Sequence, residues 1–123
     1  MKKVLFAGLC VVLVGAVADA RHLRLVSSFP SADTTLTASP DTIRLTYSQA
    51  TDLAVSRVRV ESKSGDAVKV SRPVASDDAK TLTAAVEQQL GSGAYTIRWS
   101  TAGDDGHVLR GSIDFAVRVT AAQ

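Results

Sequence analysis

Asp105 and His107 stand on either side of Gly106 in the stretch AGDDGHVLRG, residues 102–111. A carboxylate and an imidazole two residues apart on an exposed turn offer one oxygen and one nitrogen donor, which is half of a metal site. The chain holds only two histidines, and the second, His22, lies near the other end of the sequence. Asp-Gly is equally a strong hairpin signal, so the same residues also read as a turn that simply reverses the chain. The choice between the two readings depends on whether the fold brings His22 to this loop.

The first twenty residues belong to no such fold. Lys2 and Lys3 precede an apolar stretch from Val4 to Val17, and Ala18-Asp19-Ala20 is a small-x-small cleavage pattern. Residues 1–20 therefore read as a secretory signal peptide, and residues 21–123 as one exported, soluble domain. No later segment approaches the roughly 20 apolar residues that a membrane-spanning helix needs. The leader takes with it the only cysteine, Cys10, and the only methionine, Met1. Leu9 stands where a lipidated cysteine wants a small residue before it, so a lipoprotein is not expected. A mature chain without cysteine has neither a disulfide framework nor thiolate chemistry. Taking Lys2, Lys3 and Asp19 from the totals leaves twelve basic residues against eleven acidic ones. A net charge of +1 argues against nucleic acid or an anionic membrane as the main partner.

The elements that must position the loop read as strands. Short runs rich in Val, Ile, Leu, Thr and Tyr recur at 23–27, 42–48, 54–61, 67–72, 81–86, 94–100 and 108–119. Turn-forming residues separate them, and no run holds helical spacing. Alternation puts Ile43, Leu45 and Tyr47 on one face, as it does Tyr95, Ile97 and Trp99, and Ile113, Phe115 and Val117. Between Leu53/Val55 and Val58/Val60 the phase changes, which predicts a bulge or bend near Ser56-Arg57. Seven short strands, each with one buried face, describe an all-β, immunoglobulin-like Greek-key sandwich or barrel. If successive strands reverse direction, the mature N-terminus, Gln49, Asp77, Asp78 and the Asp105-Gly106-His107 loop gather at one end.

Three segments carry a family resemblance: RHLRLVSSFPSADTTL at the mature start, PDTIRLTYSQ, and GAYTIRWSTAGDDGHVLRGSIDFAV, the last being the specific one. In order and spacing they resemble the periplasmic copper-resistance protein C (CopC) family. The resemblance implies a small β-sandwich that binds Cu(II) through an N-terminal histidine and a D-x-H pair, here His22, Asp105 and His107. Cu(II) suits such donors, since it favours tetragonal N and O sets and neutral imidazoles. The resemblance also brings Gln49 and Trp99 close to the metal end. Its further implications are a monomeric copper carrier or buffer of the periplasm, and a CopD-type membrane copper transporter as partner.

Three departures from the family pattern bear on the chemistry. Cleavage after Ala20 leaves Arg21 ahead of His22, so amine and imidazole no longer belong to one residue, and weaker or rearranged Cu(II) binding is expected. Gln49 replaces the glutamate of the family's S-E pattern and brings no charge with which to orient a ring. Without methionine in the mature chain, no thioether site for Cu(I) exists.

Other residues read more simply. Trp99 on an inward strand face is first of all core; Asp104 is an alternative carboxylate ligand beside Asp105, though the motif register favours Asp105 and Asp104 more simply faces water or caps the turn; Arg110 decorates a strand. Catalysis is not expected: no Ser-His-acid set or catalytic carboxylate pair is present, and copper oxygenases with a histidine brace need histidine first. The competing reading is an immunoglobulin-like interaction module whose metal binding is weak or lost.

Overall fold

The computed structural model describes residues 22–120, so the expected leader, its cleavage site and Arg21 lie outside the described residues. Nine strands follow in chain order: β1 Leu25–Phe29, β2 Thr34–Leu36, β3 Thr42–Tyr47, β4 Arg57–Ser62, β5 Ala67–Val68, β6 Val74–Ala75, β7 Thr81–Ala85, β8 Gly93–Ala102 and β9 Val108–Val117. They form two sheets, one ordered β1-β3-β7-β6 and the other β2-β9-β8-β4-β5. This is the expected all-β sandwich.

The alternation works as it should. Ile43, Leu45 and Tyr47 from one sheet are buried against Val58, Val60, Ile97, Ile113, Phe115 and Val117 from the other. Each large apolar side chain removed from water in this way contributes about 1.5–3 kcal/mol. Tyr95 and Trp99, which close the ends of the β8 stripe, pack against this core only partly buried.

Several elements depart from the expected boundaries, each for a local reason. Leu53–Val55 is a 3-10 turn, not the start of a strand, and Asp52 caps it by accepting from the Ala54 N–H at 3.1 Å. The apolar phase changes there because Leu53 and Val55 leave the core altogether, both being 42% exposed. The irregularity in strand pairing lies instead between Leu25 and Ser27 of β1. The expected strand 67–72 ends at Val68, after which the chain crosses to the other sheet, touching it through the Val70–Val86 bridge. Strands β2 and β6 were not expected; β2 runs parallel to β9 from Thr34 to Leu36.

The expected gathering at one end is present in the contacts. Asp52 donates its N–H to the Ala102 carbonyl at 2.8 Å, and Thr51 donates to the Ala79 carbonyl at 2.7 Å. Leu23 packs on Gly103, which also lies beside the Ala50 carbonyl. The N-terminal segment, the chain after β3, the turn holding Asp77 and Asp78, and the β8–β9 loop thus share one end of the sandwich.

Candidate metal centre

The β8–β9 hairpin closes with Ala102 opposite Val108, leaving residues 103–107 as its loop. The turn proper runs from Gly103 to Gly106, whose N–H donates back to the Gly103 carbonyl at 3.0 Å. Asp104 and Asp105 are therefore its central residues. Gly106 then takes φ +76°, a left-handed conformation that costs glycine nothing and strains any side chain. That step redirects the chain and leaves His107 next to the carboxylate just passed.

Both oxygens of Asp105 engage His107. Oδ1 accepts the His107 backbone N–H at 3.0 Å, and Oδ2 lies 3.0 Å from the ring Nδ1. The backbone bond, then the ring bond, hold the Asp105 carboxyl below its ordinary range, and the His22 side chain adds a smaller pull of the same sign. An ionised carboxylate only accepts, so Nδ1 carries the hydrogen and Nε2 keeps its lone pair in the neutral ring. The His107 side chain is 78% exposed among the described residues. Two donors roughly 3 Å apart have the spacing of adjacent ligands about 2 Å from one ion. An ion replacing the shared proton would thus meet an oxygen and a nitrogen at once.

His22 is exposed at the same end, close enough for its charge to act on Asp105. Among the described residues, however, no three His, Cys, Asp or Glu side chains are gathered at metal-holding distance. The pair is assembled, while His22 stands near it on the N-terminal segment. That segment is tied down just beyond: Arg24 donates its N–H to Ser48 Oγ at 3.0 Å and accepts the Ser48 N–H at 2.9 Å. Gln49 follows Ser48, half-buried, beside this clamp. Sequence reasoning overlooked the clamp, whose only signal was a serine closing a strand.

Trp99 lies three residue pairs back from the loop on the same hairpin, packed against the core. Its ring meets Tyr47 edge-on at 5.2 Å, and burial pushes the Tyr47 phenol well up. Gly111 opposes Trp99 across the hairpin, and a Cβ there would stand 2.5 Å from the indole. The hairpin that carries Asp105 and His107 is therefore locked by a tryptophan lying on a glycine. Neither Tyr47 OH nor Trp99 Nε1 has a hydrogen-bond partner among the described residues.

Comparison with known proteins identifies the family of this fold. Residues 25–118 match the CopC domain family. Copper resistance protein C of Xanthomonas campestris pv. juglandis is 28% identical over 103 residues, covering 79% of this chain and 80% of that protein. The crystal structure of CopC from Methylosinus trichosporium OB3b superposes with a TM-score of 0.74 at 25% identity, covering 83% of this chain and 99% of that one. PcoC from Escherichia coli, described as a methionine-rich copper resistance protein, gives 0.70 at 26% identity over 79% of this chain and 99% of that one.

Proposed function

The chain belongs to the CopC domain family, and from that membership we propose that it is a periplasmic Cu(II) carrier or buffer that takes the ion at the β8–β9 end of the sandwich. His107 and Asp105 are the proposed first donors, and His22 the donor that closes the set. The observation that carries this reading is the 3.0 Å spacing of Nδ1 and Oδ2, already that of adjacent ligands. Copper is cargo here, and the polypeptide's task is to hold donors and release them. An exposed pair on a rigid hairpin, with a third donor on a terminal segment, suits exchange better than permanent retention.

Export through the leader at residues 1–20 places the protein where extracytoplasmic copper is met. A CopD-type membrane transporter is the proposed recipient, and the monomer the proposed working state. The copper names of the relatives support the cargo, and the donor chemistry supports the divalent ion. The reaction class is binding and transfer, without turnover.

Titrating the processed protein with Cu(II) while following Trp99 fluorescence tests the reading. One equivalent should quench Trp99, and His107→Ala should abolish the response. No binding at micromolar copper would leave the family fold as an interaction module and overturn the proposal. Intact mass of the exported chain, with and without copper, fixes the N-terminus and the metal content together.

A further inference from the structure

The outward face of the larger sheet carries four arginines in a grid. Arg57 lies opposite Ser100, which lies opposite Arg110, and one step along Arg59 lies directly opposite Arg98. Like charges facing each other across strands repel, so this arrangement costs stability in the isolated chain. Arg98 is relieved by Glu61 at 3.2 Å. Among the described residues, Arg57, Arg59 and Arg110 have no ion-pair partner. No lysine stands on this part of the face, and guanidinium forks match carboxylates with paired hydrogen bonds in a way that ammonium groups do not.

The same arginines border an open sheet edge. β5 pairs with β4 only through Val60–Val68 and Glu61–Ala67 before the chain leaves for the other sheet. Along β4, Ser62 donates its N–H to Asp66 on the β5 side, while Lys63 donates to Ala94 on the β8 side. Alternation then turns the N–H and C=O of Val58 toward the side with no strand. A groove of about 640 Å³ runs there, lined by Leu53, Arg57, Val58, Arg59, Val70 and Arg72 among others. A second depression, about 250 Å³, lies on the other flank of Arg57 and Arg59 and reaches Arg98 and Arg110.

We propose that this edge docks an extended acidic segment of a partner protein, which adds a strand at Val58. Strand addition would satisfy the open backbone groups. Alternate residues of the segment would turn opposite ways: carboxylates outward onto Arg57 and Arg59, apolar side chains inward over Leu53 and Val70. The first arginine row lies two residues from the Ala102–Val108 pair that closes the 103–107 loop, so the docked partner lies toward the same end of the sheet as His107, with β4 and β8 between it and β9. The inference does not rest on the copper reading.

The test uses the copper-free, isotope-labelled exported chain and a short peptide of alternating glutamate and valine. Saturable amide shifts at 57–59 and 70–72 are expected, with slowed exchange of the Val58 amide. Binding should weaken about tenfold when glutamine replaces glutamate in the peptide, and again in Arg57→Gln/Arg59→Gln. Arg110→Gln, at the edge of the grid, should weaken it less, and matching melting curves would show that both variants fold. Equal binding of the glutamine peptide, or shifts away from these residues, overturns the proposal. So does a response to phosphatidylglycerol vesicles or inorganic phosphate in the absence of a peptide response.

Discussion

Asp78 and Asp105 use the same local device at the same end of the sandwich. Each accepts the backbone N–H of the residue two places on, Lys80 at 3.0 Å and His107 at 3.0 Å. In the first turn the carboxylate also takes the Ser76 hydroxyl at 2.8 Å, and Ser76 Oγ in turn accepts the Thr81 N–H. That turn closes on itself and spends its charge on its own backbone. In the second turn the remaining oxygen meets an imidazole, and the ring stays open to solvent. The difference lies in what the side chain of the third residue brings to the carboxylate: Lys80 adds only the pull of its charge, while His107 returns a ring nitrogen to the second oxygen. An acidic turn becomes a candidate ligand site only when the partner of its carboxylate is itself a donor.

The sharpest way to break this contrast is to remove the ring. His107→Ala should abolish Cu(II) uptake and leave the melting temperature nearly unchanged, whereas Asp78→Ala should lower melting and leave uptake intact; calorimetry with and without copper reads both. Asp105→Asn keeps an oxygen but loses the charge of a proposed ligand, and copper affinity should fall by more than about tenfold, the lower end of the loss when even a non-ligating carboxylate partner of a ligand histidine is removed. A competitive chelator titration measures that. Gly111→Ala drives a methyl into the Trp99 indole and should cost about 1–3 kcal/mol of stability with a change in Trp99 emission. The loop it supports should loosen as well.

The smallest expected effect is in acid. The Lys80 N–H, then the Ser76 hydroxyl, hold the Asp78 carboxyl below its ordinary value of 3.8. A depressed folded value means the contribution is complete above the ordinary value and fades as pH falls through the lower one. The Lys80 amide resonance should therefore titrate with a midpoint below 3.8. A midpoint at or above that value would remove the closed turn from the comparison.

The two turns were not equally legible in the sequence. Asp105 and His107 were visible because two residues and one glycine suffice to place them, and local spacing survives folding. Asp77 and Asp78 were expected only to lie at this end, since the bonds that close their turn come from Ser76 and its reach across to Thr81. The long strands were legible from alternation in 42–48, 94–100 and 108–119, against observed bounds of 42–47, 93–102 and 108–117. Leu53 and Val55 misled because a capped 3-10 turn has the same apolar residues as a strand, and Asp52 was the missed signal. The arginine grid needed register as well as alternation: period two places Arg57 and Arg59 on one face, but only pairing sets Arg59 against Arg98. The relation of His22 to the pair depends on the path of a terminal segment, which no periodicity encodes.

We propose above all that His107 is a copper ligand held ready by Asp105. Electron paramagnetic resonance of the exported protein with one equivalent of Cu(II), prepared with ¹⁵N-histidine and compared with His107→Ala, tests it most directly. One tetragonal copper per chain is expected, with imidazole nitrogen couplings that respond to the label and a centre that is lost or rearranged in the variant. A wild-type spectrum that His107→Ala leaves unchanged would contradict it.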